Sequence, residues 1–178
     1  MPGRRHVAAA LLTAAAVAHA QQISNWEFDF DEGKKTWEEI QAQIPAYPKG
    51  DALVQVQAGN LDSHKFYLDP NSLALGADGV MRYTAVVKTT GGATNVSYEG
   101  IRCETRERKL YAIGRSDGSW VRARDPKWQR IELRTLTPHY YVLYRDYFCP
   151  ARTVPTPPKQ ALEALKRGTA LTGGPTSY

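Results

Sequence analysis

The chain is poor in the residues that do chemistry. It has two cysteines and four histidines in 178 residues. There is no C-x-x-C, so a thiol–disulfide redox role is not expected. Cys103 and Cys149 are far apart and have no clustered histidines, which makes a poor zinc site. No G-x-S-x-G elbow is present, and beyond the first twenty residues only His64 and His139 remain to act as a base. The acidic cluster Asp29, Asp31 and Glu32 lacks the glycine and distal glutamate of a calcium loop. Long apolar runs are missing too, so no membrane-crossing helix is expected. Internal repeats are absent. Neither a cofactor nor a metal is expected.

What is present begins with an export signal. Arg4 and Arg5 precede an apolar run of small residues from Val7 to Ala18, and Ala18-His19-Ala20 has the A-x-A form that a signal peptidase reads. Cleavage is expected between Ala20 and Gln21. No cysteine follows the run, so no lipid attachment is expected at the mature start. Residues 1–20 are therefore read as a signal peptide, and the mature protein as periplasmic. The net charge of +5 falls to +3 once Arg4 and Arg5 leave. That mild excess does not imply a nucleic-acid partner. In an exported chain an even cysteine count reads as a disulfide. A Cys103–Cys149 bridge would close a loop of about 45 residues, worth about 4 kcal/mol in the chain-entropy account.

The pattern along the chain predicts an α+β, β-rich single domain, with an antiparallel meander sheet and a few short peripheral helices. Residues 21–35 are an acidic, aromatic lead-in in which Trp26, Phe28 and Phe30 alternate with acids. The domain is expected over 36–150. Thr36-Trp37-Glu38-Glu39 has the form of a capping box, and Trp37, Ile40 and Ile44 follow at helical spacing until Pro45. Strands are expected over 52–58 and from Lys65 to Leu68, the second stopping at the Asp69-Pro70-Asn71 turn. A hairpin follows, with strands on either side of Gly91-Gly92. In its first strand Met81, Tyr83, Ala85 and Val87 take the core face, and Arg82, Thr84, Val86 and Lys88 the other. In its second, the apolar parity changes between Tyr98 and Ile101, which predicts a β-bulge at Glu99-Gly100.

A second hairpin joins 109–114 to 120–124 through Asp117-Gly118. Trp128 and Ile131 are read as opening a short helix. Thr137-Pro138 starts another, with Tyr141, Tyr144 and Phe148 on its apolar face and Cys149-Pro150 at its end. Residues 151–178 read as a proline-rich linker, a short helix over Lys159 to Arg167 and a disordered tail from Gly168.

Several runs resemble a family of bacterial envelope proteins named after the cryptic neisserial protein. They are DGVMRYTAVV (78–87), NVSYEGIRC (95–103), YAIGRSDGSW (111–120), Trp128 and DYFCP (146–150), with thinner matches at Trp37-Glu38, Pro45 and FYLDPNSL (66–73). The resemblance implies export. Many members look like lipoproteins, a feature this chain lacks. It implies no enzymatic activity and supplies no catalytic residues.

Two functional readings follow. The first is a non-enzymatic binding or structural module of the envelope. The segment 102–134 carries ten basic and five acidic residues, and Trp120, Arg122 and Arg124 fall on one face of their strand. A basic, aromatic face of this kind suits an anionic envelope component, and another envelope protein is the other candidate partner. The second is a small carboxylate-dependent hydrolase acting on an envelope polymer. Glu99 is its central residue, beside Tyr98 and Arg102, with Glu104, Asp69 and Asp146 as candidate second carboxylates. Glu99 also has a plainer reading, as an ion pair or hydrogen bond that fixes the bend. His64 and His139 are expected at the surface.

Overall fold

The computed structural model describes residues 36–58, 64–132 and 138–172. The expected signal peptide, its Ala20–Gln21 cleavage site and the aromatic lead-in lie outside the described residues.

A single antiparallel sheet in the order β1-β2-β3-β4-β5-β6 dominates the fold, with a short β7 paired to β5. The strands are β1 (Val54–Val56), β2 (His64–Leu75), β3 (Val80–Thr89), β4 (Thr94–Arg102), β5 (Glu107–Gly114), β6 (Trp120–Arg122) and β7 (Gln129–Arg130). Each strand from β1 to β6 pairs with the next in sequence, so the sheet is the expected meander. Its hairpins turn where glycine permits. Gly92 between β3 and β4 has φ of 86°, and Gly118 between β5 and β6 has φ of 83°. The fold is mostly β, with two short helices, α1 (Pro138–Val142) and α2 (Pro158–Arg167), and a π-helical turn, Leu143–Phe148, continuing α1. Pro138 at the first helical position fits the expected start.

The expected faces of β3 are corrected. Arg82, Thr84 and Val86 are as buried as Met81, Tyr83 and Ala85. The sheet is covered on both sides, so alternation along β3 carries no inside–outside signal. We call the two sides inner and outer. On the inner face Leu68, Tyr83, Ala85, Ile101 and Phe148 form the main core, together with Ala161, Ala164 and Leu165 of α2. The described fold therefore continues past residue 150. The Cys103–Cys149 disulfide ties the sheet to the π-helical turn on this side. Leu171 packs on the same core, and its N–H donates to the Asp146 carbonyl at 2.8 Å. The tail is thus fixed up to Thr172, against the disorder expected from Gly168.

The outer face is covered by residues 37–47. The helix expected here does not form, and the segment is irregular. Its polar side chains are used across the fold rather than along a helix. The Trp37 indole N–H donates to the Asp78 carbonyl at 2.8 Å, and the Ile40 N–H to the Asp78 carboxylate at 3.0 Å. Asp78 also accepts two bonds from the buried Arg82 guanidinium, at 3.0 and 2.6 Å. Glu39 accepts from Lys109 Nζ at 2.6 Å, the Tyr111 hydroxyl at 2.7 Å and the Trp128 indole at 3.2 Å. Trp37 stands edge-on to Trp128 and beneath the Arg102 guanidinium.

Other differences are local. β2 does not stop at Asp69-Pro70-Asn71. It swells there, its register against β3 shifting between Asp69 and Ala74. Ser72 Oγ fills the gap, accepting the Thr84 N–H at 2.7 Å and donating to the Asp69 carbonyl at 2.8 Å. Trp128 and Ile131 open no helix, because Gln129–Arg130 pairs with Glu107 and Arg108. The predicted bulge exists at the right level of the sheet but in the opposite strand. The β3–β4 register is unbroken through Glu99 and Gly100. Against β5, Tyr98 faces Ala112 and Glu99 faces Leu110, so Tyr111 is the extra residue. A Cβ on Gly100 would come within 2.9 Å of both the Tyr111 ring and Val80, so glycine makes room for that bulge.

Candidate functional site

Beta-strand alternation separates the three residues Tyr98, Glu99 and Arg102. Tyr98 sits on the outer face in a small cluster with Tyr111, Ala112 and Trp120. Arg102 is on the outer face too, stacked on Trp37 and paired with Glu104. Glu99 alone points inward. It is fully buried, opposite Tyr83 in the β3–β4 register. Tyr83 donates its hydroxyl to Glu99 Oε2 at 3.0 Å. Ser97 and Tyr140 donate to Oε1 at 2.6 and 3.0 Å. Burial pushes the Glu99 carboxyl above its ordinary range, and the Ser97, Tyr140 and Tyr83 hydroxyls offset part of that rise.

Glu99 lies in the wall of a cleft of about 440 Å³ between the sheet and α1. Phe66, Val87, Leu110 and Ile113 supply apolar walls, and His64, Asn95, Ser97, Arg108, His139 and Tyr140 supply polar groups. This volume and mixed lining suit a small-molecule site. The Tyr111 bulge builds it. In an unbroken strand, Arg108 and Leu110 would face one side and Ile113 the other. The extra residue brings all three to the inner face, opposite Ile101, Glu99 and Ser97. Ile113 remains half exposed there, beside the similarly exposed Val121. The helical cover ends short of them, and the cleft is what remains open.

His139 is a correction. It is 4% exposed rather than at the surface. Its ring stacks on Phe66 at 4.1 Å and meets Tyr140 at 4.0 Å. Burial, helped by the charge on Arg108, pushes it down to about 3, so the imidazole is neutral at physiological pH. Its Nδ1 is buried without a hydrogen-bond partner. Arg108 lies over the Tyr140 ring at 4.1 Å and makes no ion pair among the described residues.

Among the described residues no second carboxylate lines this cleft. Asp69 accepts the Asn71 N–H, Glu104 is exposed beside Arg102, and Asp146 pairs with Arg145 and Thr172. No cluster of three or more metal-ligating side chains occurs among the described residues. No described helix is long and apolar enough to cross a membrane.

The basic surface is more divided than its composition implies. Lys109 is spent on Glu39, Lys127 on Asp125 and Arg130 on Glu132. Arg106 covers Tyr141 and Tyr144. Trp120 is half-buried against Tyr47 and Tyr98. Arg122 is exposed at the rim of a smaller outer-face cleft of about 270 Å³ that also holds Glu39 and Tyr111. β6 ends at Arg122, so Arg124 leaves the sheet rather than sharing its face.

The chain matches the CNP1-like family over residues 32–166. It belongs to that family. No curated protein and no solved structure matches it. The CNP1-like match spans every strand of the sheet, the disulfide and nearly all of α2. It therefore covers both the Glu99 cleft and the outer-face network, and it assigns a role to neither.

Sequence reasoning missed Arg108, His139 and Tyr140. The Tyr83–Glu99 contact was within reach, because the Gly91-Gly92 turn sets the register that places them opposite each other. The helix that carries His139 and Tyr140 comes from forty residues downstream, and no local pattern brings it to Glu99.

Proposed function

We propose that this CNP1-like chain is exported through a cleaved signal peptide and acts in the periplasm as a non-catalytic binding module, with the Glu99 cleft as its ligand site. One observation carries the binding reading. Apolar walls, an Arg108 guanidinium without an ion pair among the described residues and a buried His139 Nδ1 without a described partner converge on one cleft. Buried polar groups ordinarily have partners, so the buried His139 Nδ1 leaves a contact for an occupant to make. The hydrolase reading is less well supported, because the described lining of the cleft holds a single carboxylate already engaged by three hydroxyls.

The test is a comparison of two variants of the mature protein in a thermal-shift screen of small envelope metabolites. Ile113→Trp fills the cleft from an exposed position. Arg122→Glu with Arg124→Glu reverses the outer basic surface. Stabilising compounds should lose their effect on the first variant and keep it on the second. The opposite result moves the site to the outer face. Export is tested by N-terminal sequencing of the periplasmic form, which should begin at Gln21.

A further inference from the structure

We propose that the occupant is a monocarboxylate with an apolar body, held by its carboxylate at Arg108. This deepens the cleft reading above and rests on it. The argument is a count of unused hydrogen-bonding capacity. Among the described residues Glu99 is the one acidic group in the lining, and three hydroxyls already occupy it. A carboxylate has about four acceptor positions, so little is left to hold a cationic ligand. Arg108 is in the opposite condition. It carries five N–H donors; it lies over the Tyr140 ring, its charge reaches Glu99 and His139, and it makes no ion pair among the described residues. What the cleft lacks is an acceptor.

The supports of Arg108 are built in series. Glu99 fixes the Tyr140 hydroxyl at 3.0 Å, and the Tyr140 ring is the platform on which the guanidinium lies. A guanidinium over a ring keeps its N–H donors free to meet a carboxylate in two parallel bonds. His139 Nδ1 offers one further polar contact. The rest of the cleft is apolar, with Phe66, Val87, Leu110 and Ile113 suited to an alkyl or aryl body. Charge favours one negative unit over two. A single guanidinium beside Glu99 tolerates one added negative charge better than the nearly two that a phosphate monoester brings.

The experiment titrates the mature protein with decanoate, decyl phosphate, decan-1-ol and decyltrimethylammonium below their micellar concentrations. Binding is read by calorimetry and by amide NMR shifts. Decanoate should bind saturably and move the amides of Ser97, Glu99 and Ile113. The alcohol and the ammonium should bind at least about tenfold more weakly, and the phosphate more weakly than decanoate. Arg108→Ala should weaken decanoate about tenfold or more, with Arg108→Lys between the two, while leaving alcohol binding unchanged. Equal or tighter binding of the phosphate, alcohol or ammonium at these amides overturns the carboxylate assignment and leaves the cleft reading standing. Undiminished decanoate binding by Arg108→Ala does the same. If no probe moves the cleft amides, both readings fall.

Discussion

The two faces of the sheet are each organised around a carboxylate, and they solve its burial in opposite ways. On the outer face Glu39 meets Lys109, Tyr111, Trp128 and, at 4.0 Å, Arg82. Burial alone would raise its carboxyl, but the Lys109 and Tyr111 bonds and the Lys109 charge outweigh it and hold the carboxyl below the usual range. On the inner face three hydroxyl bonds and the Arg108 charge pull the Glu99 carboxyl down, and burial still wins. The outer group is a clasp, in which opposite charges fasten the irregular segment 37–47 to β3 and β5. The inner group is a support, in which a weakly compensated charge holds Tyr140 in place beside an open cleft. Compensation in full belongs to structure, and compensation in part marks the side where a ligand has something to add.

The contrast is most severely tested at the disulfide, which strengthens only the inner face. Replacing Cys103 and Cys149 with alanine should cost about 4 kcal/mol in denaturant unfolding, from the 46-residue separation of the pair. A loss under about 1 kcal/mol would mean that the apolar core alone secures that side. The outer clasp comes next. Asp78→Ala removes the two carboxylate bonds of the 6% exposed Arg82 and leaves it the Ile40 carbonyl and Glu39 at 4.0 Å, and the expected loss is about 3 kcal/mol. Trp37 fluorescence should report its segment detaching. An unchanged Trp37 signal and stability would show that aromatic stacking, rather than charge, holds that face.

Acid separates the faces by pH. The folded-state His139 lies near 3, against 6.5 in the unfolded chain, so below 6.5 the unfolded state binds the extra proton. Stability from this group is complete above pH 6.5 and falls as pH drops towards 3. The loss at pH 5 is about 2 kcal/mol, at 1.36 kcal/mol per pH unit. Glu39 and Asp78 are held below 4.5 and 3.8, so their contribution is intact above those values and lost only at lower pH. Between pH 6.5 and 5 the inner face should weaken while the clasp holds. His139→Phe keeps a ring against Phe66 and should flatten that limb in melts at pH 5 and 7.5. A limb that persists in the variant would place its origin elsewhere.

The readable parts of this fold were those whose cause lies within a few residues. Gly91-Gly92 and Asp117-Gly118 turn because glycine permits positive φ, and Pro138 starts a helix because its missing N–H costs nothing there. Cys103 with Cys149 was readable because two lone cysteines behind an expected export signal read as a disulfide. What misled was local grammar in the service of distant contacts. Thr36-Trp37-Glu38-Glu39 has the spelling of a helix cap, yet Glu39 is claimed by Lys109 and Tyr111, some seventy residues away. Arg82 looked like a solvated side chain because nothing in β3 shows that a second layer covers it. The jump in apolar parity around Glu99 was real evidence of a sheet buried on both faces, and it was read as a break in one strand.

The Tyr111 bulge makes the cleft depend on counting. Substitutions along β5 change what the cleft is made of, but the loss of one residue at 111 would exchange the faces of everything on one side of it. Drift in residue type is then tolerable within this strand, whereas drift in length is not. Among relatives, the spacing from Arg108 to Ile113 should outlast the identities of the residues it separates.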